Sequence, residues 1–459
     1  MKKLAISSLF LLVIVSCQRE TADLQPPDFS TNPNVFLDGF SAGLNYAAFG
    51  GSVPAAFQVD NEVTYNNTAA SMRFEVPDPN DSRGAYAGGV FFTSTGRNLT
   101  QYTALTFWAK SSVAANLDLI GFGADLGAAA YQVSISNVPL NSNWQKFYIP
   151  IPDASKLTAE KGMLFYAEGP ENNRGYTFWI DEVKFENLGT VAHLKHFILD
   201  GASRQETSFA GISKKIDGLS STANLPNGSN IKLTLTPQYF TFSSSDTSIA
   251  TVSKTGDVLV TGGPGLAVVT AKVGDIEAGG KLTIDSKGVF QKAPTPTQKA
   301  ADVISLFSNA YTNVPVDYYN GYWAPFQTTL SADFTIDGDD ILQYTNFNFV
   351  GIQFSTPTIN ASQMNTLHLD VYFPAALAAG AQFRIEMVDF GADGVFGGGD
   401  DKSHKLTIPS GSWTPGKWFS LALPLSSFST LTSKARLGQL IFEGTGVSSF
   451  YADNIYFHK

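Results

Sequence analysis

The sequence is poor in cysteine, histidine and charged residues. Its 459 residues include one cysteine and five histidines, and charged residues make up only 15% of the chain, against roughly a quarter in typical soluble proteins. One cysteine excludes internal disulfides and cysteine-based zinc or iron–sulfur sites. A net charge of −10 supplies no basic face for phosphates, so nucleic acid and anionic membrane surfaces are poor partners. Neutral ligands are favoured.

Glycine and aromatic residues are abundant instead. The chain has 41 glycines, 35 phenylalanines and 17 tyrosines, and 43% of its residues are hydrophobic. Long Ala/Leu/Glu/Lys/Arg stretches are few, so the composition favours short strands joined by turns, and the predicted fold class is all-β. At about 150 residues per domain, this length suggests roughly three domains.

The first residues have the pattern of an export signal. Met1-Lys2-Lys3 precedes an apolar stretch from Leu4 to Val15, which is too short to span a bilayer permanently. Residues 1–16 are therefore predicted to be a signal peptide. The only cysteine follows at once in Ser16-Cys17, in a run that resembles a bacterial lipobox, and this resemblance implies acylation of Cys17. The alternative is an ordinary signal peptide that happens to contain a cysteine.

Changes in composition divide the remainder into segments. Residues 17–34 are polar and proline-containing, which is typical of a tether behind a lipid anchor. Residues 35–188 carry aromatic-rich runs with strand periodicity, and residues 189–286 are instead rich in Ser, Thr, Gly and Val. A proline-punctuated linker, residues 287–298, leads to a second aromatic-rich segment, residues 299–459.

The two aromatic-rich segments share motifs in the same order and at similar separations. This indicates two copies of one architecture. The matching runs are residues 105–109 with 367–372, 144–150 with 418–424, and 178–185 with 450–457.

These motifs resemble known families. Both aromatic-rich segments resemble the jelly-roll carbohydrate-binding modules of bacteria, whose last strand often reads aromatic-x-Asp-Asn/Glu-Val/Ile-x-Phe. Residues 290–459 resemble a module appended to laminarinases and found in surface lipoproteins of marine Bacteroidetes. The middle segment resembles a bacterial Ig-like domain through Ser245-Asp246-Thr247-Ser248-Ile249-Ala250, although Phe242 stands where that family usually has tryptophan. The resemblance implies two jelly-roll β-sandwiches flanking an Ig-like spacer.

Motifs for catalysis are missing. The sequence has no His-Glu-x-x-His, no Gly-x-Ser-x-Gly and no glycine-rich phosphate loop before a helix. Glycosidases need two carboxylates flanking the scissile bond, and related laminarinases use a Glu-x-Asp-x-x-Glu strand. Asp181-Glu182-Val183-Lys184-Phe185-Glu186 lacks that pattern. The protein is predicted not to be an enzyme.

A loop in the third segment has the composition of a sugar site. Sugars stack C–H faces on aromatic rings and offer hydroxyls to polar groups. The run from Asp317 to Phe326 is aromatic but follows no strand or helix period. We expect Trp323 to stack on a sugar ring, with Tyr322 or Tyr319 beside it and Asn320 or Asp317 bonding hydroxyls. The alternative is a plug that closes one end of the sandwich.

Other aromatic residues are weaker candidates. Trp413, in a predicted turn, stays open between core and site. In the first segment the candidates are Tyr46, Phe49 and Tyr86, together with Arg83. The four remaining tryptophans lie in strand blocks and are predicted to be buried core rings; they are Trp108, Trp144, Trp179 and Trp418.

Two sets of aspartates suggest calcium, which binds six to eight oxygens. In jelly-roll modules a structural calcium often joins the first strand to the last, so the resemblance implicates Asp453 in the third segment, and Asp38 with Asp181 in the first. The glycine-rich loop 389–401 partly matches an EF-hand loop. Its candidate ligands are Asp389, Asp393 and Asp400. The alternative for each aspartate is a carboxylate that caps a turn.

The predicted function is therefore non-catalytic capture of polysaccharide at the cell surface. The resemblance implies a protein lipid-anchored in the outer membrane and facing the exterior, with a β-glucan such as laminarin as ligand, and with a glycan importer and surface hydrolases as partners. One alternative is a structural adhesin that binds protein or matrix. A second is a divergent glycoside hydrolase.

Overall fold

A computed structural model describes residues 28–127, 130–189, 192–336, 338–408 and 413–459. Regular structure in these residues consists of β-strands and single 3₁₀ turns, which confirms the all-β prediction. Within the described ranges no helix is long and apolar enough to cross a membrane. Cys17 and the predicted signal peptide lie outside the described residues.

The chain divides into two compact units. The first contains the residues up to 194 together with Ser221–Tyr239, and the second contains Lys195–Ser220 and Phe240–Lys459.

The strands that form the first unit all belong to two sheets. They are β1 (Asn34–Phe36), β2 (Leu44–Ala48), β3 (Phe57–Asp60), β4 (Ser71–Val76), β5 (Ala87–Arg97), β6 (Ala104–Ser111), β7 (Ala115–Phe122), β8 (Val133–Leu140), β9 (Gln145–Pro150), β10 (Glu160–Glu168) and β11 (Tyr176–Glu186).

The next strands belong to the segment predicted to be Ig-like. They are β12 (Ala192–Phe197), β13 (Ser203–Ser208), β14 (Ser213–Lys215), β15 (Ser220–Asn224), β16 (Asn230–Leu235), β17 (Thr241–Ser244), β18 (Ala250–Val252), β19 (Asp257–Val260), β20 (Gly265–Val273), β21 (Ile276–Glu277) and β22 (Lys281–Ser286).

The last strands lie in the third segment. They are β23 (Val303–Phe307), β24 (Leu330–Ile336), β25 (Asp339–Thr345), β26 (Phe349–Gln353), β27 (Thr366–Tyr372), β28 (Gln382–Asp389), β29 (Lys402–Ile408), β30 (Trp418–Pro424), β31 (Leu437–Thr445) and β32 (Ser449–His458). The 3₁₀ turns are Ala154–Lys156, Leu199–Gly201, Pro237–Tyr239, Ala300–Asp302 and Leu425–Ser427.

In the first unit the two sheets enclose an aromatic core. One sheet has the order β3-β4-β11-β6-β9, with β1 paired to β11, and the other contains β16-β8-β7-β10-β5-β2. β11 shows why these residues form strands: Phe178 and Ile180 are buried while Thr177 and Trp179 between them are half-exposed, and this period of two directs alternate residues to opposite faces. Phe178 stacks on Phe74 with ring centroids 4.7 Å apart.

A hairpin from the middle of the sequence completes this unit. β15 and β16 fall within residues 189–286, but Thr234 and Leu235 of β16 pair with Ser134 and Val133 of β8. The hairpin therefore lengthens a sheet of the first unit.

The second unit holds the rest of the Ig-like segment and the third segment. The Ig-like strands form one sheet in the order β13-β22-β20-β17 and another in the order β14-β19-β18. The third segment is a sandwich of β24-β25-β32-β27-β30 and β26-β31-β28-β29, with β23 paired to β32. Its core includes Phe354, Phe383, Phe442 and Phe450, each fully buried.

The internal repeat is visible in the last strand of each sandwich. The pairing between β11 and β6 shifts register after Asp181, and the pairing between β32 and β27 shifts next to Asp453. The residues that follow, Glu182 and Asn454, have positive φ angles of 52° and 51°. Both sandwiches therefore contain a bulge at the same motif position, beside a buried aspartate.

The four tryptophans predicted to be core rings are all half-exposed, so that prediction is wrong. Trp179 and Lys110 are paired neighbours on the outer face of their sheet, and the Lys110 ammonium lies 5.8 Å from the Trp179 ring centroid. Trp108 stacks on Tyr65 at 4.0 Å. The strand period places Trp108 and Trp179 opposite to the core, which hydrophobicity alone does not reveal. Trp418 instead packs against buried Phe290 and Tyr372 at the edge of an aromatic cluster.

Candidate functional site

A cleft of about 610 Å³ lies on the outer face of the sheet β26-β31-β28-β29 in the third segment. Its wall and floor residues come from all four of these strands, from the loop before β24 and from the loop between β28 and β29. They are Tyr318, Trp323, Gln353, Glu386, Val388, Phe396, Asp401, Lys402, Ser403, Gln439 and Ile441.

Strand register explains the floor of the cleft. Gln353 on β26 pairs with Gln439 on β31, and Gln439 pairs with Val388 on β28. Ile441, two residues after Gln439 on β31, pairs with Glu386, two residues before Val388 on β28. Because alternate residues share a face, the floor carries amide, carboxylate and aliphatic groups in adjacent rows.

Trp323 forms one wall. A β-carbon at Gly351 would lie 2.1 Å from its Cη2 atom, and one at Gly321 would lie 2.2 Å from its Nε1 atom. The half-exposed indole ring therefore lies against the bare backbone at both glycines. The Trp323 indole N–H donates to the Tyr318 hydroxyl at 3.2 Å.

A chain of hydrogen bonds connects this wall to the floor. The Tyr318 hydroxyl donates to Gln353 Oε1 at 2.8 Å, and Gln439 Nε2 donates to the same oxygen at 2.9 Å. Gln353 Nε2 in turn donates to Ser355 Oγ at 3.1 Å. Gln439 is only 4% exposed, so its amide is held in one orientation.

The opposite wall is formed by the loop between β28 and β29. Phe396 is 62% exposed, and its ring centroid lies 5.5 Å from that of Phe390. The Asp401 carboxylate accepts from Gly397 N at 2.7 Å. An exposed phenylalanine thus lines the cleft together with Trp323, which gives it an aromatic side group on each wall.

Charges beside the cleft neutralise one another. Lys405 lies 3.2 Å from Glu386 and also contacts Glu443, and Arg384 lies 3.9 Å from Glu443, so two cations face two carboxylates. Burial alone would lower the pKa of Lys405, but its hydrogen bonds to Glu443 and Glu386 outweigh burial and raise that pKa. A balanced floor with aromatic walls is suited to a neutral, hydroxyl-rich ligand.

Of the five residues predicted in the Asp317 to Phe326 loop, Trp323 lines the cleft and the other four hold the loop in place. The Tyr319 hydroxyl donates to Leu306 O at 2.8 Å, and Asn320, 9% exposed, donates to Ser331 Oγ at 3.1 Å.

The remaining two loop residues also have partners within the module. The Tyr322 hydroxyl is 2.9 Å from Ser331 Oγ. Asp317 accepts from the backbone N–H and the hydroxyl of Ser355, both at 2.7 Å. Burial alone would raise the pKa of Asp317, but these hydrogen bonds lower it. These four residues therefore fix the loop, which presents the rings of Trp323 and Tyr318 to the cleft.

Trp413 packs at the edge of the core of the third segment. Its half-exposed ring stacks on Phe373 with centroids 4.8 Å apart and an interplanar angle of 18°, and it contacts Phe383 at 6.1 Å. It does not line the cleft described above.

In the first unit the structure brings Phe49 and Tyr86 together. A β-carbon at Gly88 would lie 2.4 Å from Tyr86 Cε2 and 3.4 Å from Phe49 Cδ2. Both rings therefore cover a glycine of β5, as Trp323 covers Gly351 of β26.

The other two candidates of the first unit lie elsewhere. The Tyr46 hydroxyl is 3.0 Å from that of Tyr166, and the Tyr46 ring packs 4.8 Å from Phe91 in the core. Arg83 forms ion pairs with Asp81 at 2.8 Å and with Glu75 at 3.0 Å. These contacts assign Tyr46 to packing and Arg83 to an exposed ionic network.

Several cleft residues were not anticipated from the sequence. Tyr318 lies in the same aromatic loop as Trp323 but was not among the predicted site residues, and the floor amides Gln353 and Gln439 each lie in an otherwise apolar run. In each strand the glutamine lies at an alternate position from the buried apolar residues, and this alternation is the sequence signal that indicates an outward-facing polar group. Phe396 lies in the loop considered only for calcium.

The aspartates of the first unit cap a turn. Asp181 Oδ2 accepts from Tyr65 N and from Thr68 Oγ1, both at 2.9 Å, and Asp38 Oδ1 accepts from Ala69 N at 2.5 Å. Burial raises the pKa of Asp181. The two carboxylates therefore bind the same turn, between Tyr65 and Ala69.

Asp453 of the third segment is paired across strands with Asp370, and both are almost fully buried. Asn454 Nδ2 donates to Asp370 Oδ2 at 2.8 Å. Burial first, and then the neighbouring carboxylates of Asp339 and Asp370, raise the pKa of Asp453 to about 7. Two carboxylates buried this close together repel each other when both are ionised.

The loop 389–401 folds its aspartates inward. Asp389 accepts from Gly391 N and from Arg436 N, both at 3.1 Å, and Asp393 accepts from Val395 N at 2.9 Å. Asp400 Oδ2 accepts from Ala392 N at 2.6 Å.

Two carboxylate oxygens of this loop, Asp400 Oδ1 and Asp401 Oδ1, are buried without a hydrogen-bond partner. Such oxygens fit a cation in their chemistry. In the described part of the chain, however, no three His, Cys, Asp or Glu side chains are grouped closely enough to hold a metal.

Solved structures similar to parts of this chain are carbohydrate-binding modules. The family 30 module of a cellulosomal cellulase of Clostridium thermocellum is 19% identical, with 36% of this chain and 97% of that chain covered and a TM-score of 0.24. The family 11 module of Clostridium thermocellum, solved with a β-1,3-1,4-mixed-linked tetrasaccharide, is 16% identical, with coverages of 32% and 90% and a TM-score of 0.23.

A tandem pair of family 22 modules from a Paenibacillus barcinonensis protein is 9% identical and covers 94% of this chain and 98% of that chain, with a TM-score of 0.22. Comparison with curated proteins finds no match. The family model of carbohydrate binding domain 30 matches residues 34–187. The first sandwich is thus similar in sequence to a family of carbohydrate-binding domains.

Proposed function

We propose that this protein is a non-catalytic polysaccharide-binding protein of the cell surface, and that it captures β-glucan through the cleft of its third segment. The match of residues 34–187 to carbohydrate binding domain 30 supports binding of carbohydrate by the first sandwich. The motif resemblance supports β-glucan as the polysaccharide, with laminarin as the first ligand to test.

The observation that carries the proposal is the position of Trp323. Its indole ring is half-exposed, lies against a glycine of the sheet and borders a floor of glutamines and a glutamate. Stacking on such a ring desolvates the C–H face of a sugar, while the floor amides exchange hydrogen bonds with its hydroxyls.

The first sandwich supplies a second surface through Tyr86 and Phe49, which cover Gly88. Two modules that engage one long polymer raise the apparent affinity by roughly 10²-fold over either alone. Weak single sites would then suffice to hold a polysaccharide.

Titration calorimetry with soluble β-glucans tests the proposal. We expect Trp323→Ala to weaken binding ten- to a hundredfold, because a lost stacking ring forfeits about 1.5 to 3 kcal/mol of apolar burial. Phe326→Ala is the matched control, since Phe326 is 76% exposed on the same loop but does not line the cleft.

The melting temperature of each variant separates binding from folding. Affinity that is unchanged in Trp323→Ala, or lost only together with a large fall in melting temperature, contradicts the assignment. A reducing-end assay with the same glucans should stay at background. Glucan cleavage that disappears on mutation of a carboxylate pair would instead favour a hydrolase.

The proposal extends to localisation and partners. Acylation of Cys17 would anchor the protein in the outer membrane, and residues 17–34 would hold the modules away from it. A captured glucan would then be passed to a surface hydrolase and a glycan importer.

A further inference from the structure

Gln439 is the most deeply buried polar group of the cleft floor. It is 4% exposed yet contributes to the cleft surface. One of its Nε2 hydrogens is donated to Gln353 Oε1 at 2.9 Å. A carboxamide has two N–H donors and one acceptor oxygen. The second N–H and Oε1 of Gln439 therefore remain to form hydrogen bonds with a ligand in the cleft.

The orientation of this amide follows from its neighbours. Gln353 Oε1 already accepts from the Tyr318 hydroxyl at 2.8 Å, and Gln353 Nε2 donates to Ser355 Oγ. Gln353 therefore presents an acceptor oxygen to Gln439, and only Nε2 of the Gln439 amide can donate a hydrogen bond to it. The same chain of bonds ends at the indole N–H of Trp323.

We infer that Gln439 selects a sugar residue with two free hydroxyls on adjacent carbons, one donating to Oε1 and the other accepting from Nε2, while the ring stacks on Trp323. This inference rests on the proposed function and specifies the ligand of the same cleft. A 1,4-linked β-glucose residue has free hydroxyls at C2 and C3. In a 1,3-linked residue the C3 oxygen is in the linkage, so its free hydroxyls at C2 and C4 are not adjacent.

The ligand class is therefore a β-glucan that contains 1,4-linked residues. Laminarin offers an adjacent pair only at its chain ends and branch residues. A buried amide whose hydrogen bonds are left unmade is costly, and a site built to bond a hydroxyl rejects the analogue that lacks it. Stacking on Trp323 alone does not distinguish the two linkages, because both expose a C–H face.

Titration of the full mature protein with cellohexaose and laminarihexaose tests this inference. We expect cellohexaose to bind about tenfold more tightly or better, which corresponds to two neutral hydrogen bonds. Gln439→Met keeps the side-chain length but removes both polar functions, and we expect it to bring the two affinities within about twofold. Gln382 lies on the same face of β28 as the floor residue Glu386 but outside the cleft. Gln382→Met is therefore the control, and it should keep the wild-type ratio of cellohexaose to laminarihexaose affinity.

The outcomes separate the two proposals. Equal wild-type affinities, or tighter binding of laminarihexaose, overturn the inference while leaving glucan binding by the cleft intact. Binding of neither hexaose overturns the proposed function itself. If Gln439→Met does not fold, Gln439→Asn is the second variant, because its side chain is one methylene shorter and moves the amide away from the cleft while keeping it. A retained preference for cellohexaose in that variant also overturns the inference.

Discussion

The indole ring of Trp323 lies against Gly351, so closely that a β-carbon on this glycine would come within 2.1 Å of the ring. The glycine belongs to β26, the edge strand of the cleft sheet, and the tryptophan belongs to a loop well before it in sequence. The two residues act as a pair, since the side chain missing at one position makes the space for the ring at the other.

Gly351→Ala should therefore weaken glucan binding although residue 351 offers no group to the ligand. The added methyl displaces the ring, and loss of stacking should reduce affinity about tenfold or more. Calorimetric titration measures the change. Gly39→Ala is a suitable control, because a β-carbon there meets nothing within 4 Å. Wild-type affinity in Gly351→Ala would show that the ring position is unimportant.

Tyr86 should carry the residual binding when the cleft is disabled. In a Trp323→Ala background, Tyr86→Ala removes the half-exposed ring over Gly88, and we expect retardation in affinity electrophoresis to fall to that of a non-binding protein. Arg83→Ala in the same background should retain the residual binding, because Arg83 is engaged by Asp81 and Glu75. Equal mobility of both double variants would argue against a site at Tyr86.

The sequence was sufficient for the fold class and for the ring at the centre of the cleft. Strand periodicity with many aromatics indicates β-sandwiches, and the irregular aromatic loop singled out Trp323. Which neighbours of Trp323 reach the cleft was not predictable, because it depends on a hydrogen-bonded loop that turns Tyr319 toward Leu306 and brings Tyr318 to Gln353.

The floor of the cleft lies beyond sequence reasoning for a different reason. Gln353 and Gln439 are far apart in the chain and become neighbours only through strand register. Likewise, a tryptophan in a strand is buried or exposed according to which face the register selects, and this explains why Trp108 and Trp179 were predicted on the wrong side.

Glu168 should make the stability of the first unit pH-dependent. Burial raises its pKa to about 7, although Asp118 N and the Tyr176 hydroxyl both donate to it. The folded state therefore holds a proton that the unfolded state, with an ordinary pKa of 4.5, has lost. The stabilisation, up to about 3 kcal/mol, is complete below pH 4.5 and is lost as the pH rises through 7.

Thermal melts between pH 5 and pH 8 measure this effect, and the transition of the first unit should fall as the pH rises. Glu168→Gln should flatten the dependence, whereas Glu62→Gln, at an exposed carboxylate, should leave it unchanged. A wild-type transition that does not move across this interval would mean that Glu168 is ionised in the folded protein.

Cys17→Ser should abolish lipid attachment, because the chain has no other thiol to acylate. Metabolic labelling with a fatty acid and membrane fractionation measure the result. We expect the variant to lose the label and to leave the membrane fraction. Label that persists on the variant would contradict the lipobox interpretation.

Calcium should stabilise the third segment if the buried pair Asp453 and Asp370 and the unpartnered oxygens of Asp400 and Asp401 hold cations. An ion that binds only the folded state adds about 2.7 kcal/mol at a hundredfold excess over its Kd, so EDTA should lower the melting temperature and calcium should restore it. Asp453→Asn should remove the part of this response that comes from the Asp453 and Asp370 pair, and Asp400→Asn should remove the part that comes from Asp400 and Asp401. If EDTA leaves the melt unchanged and elemental analysis finds no bound ion, these carboxylates serve only to fix the bulge and the loop.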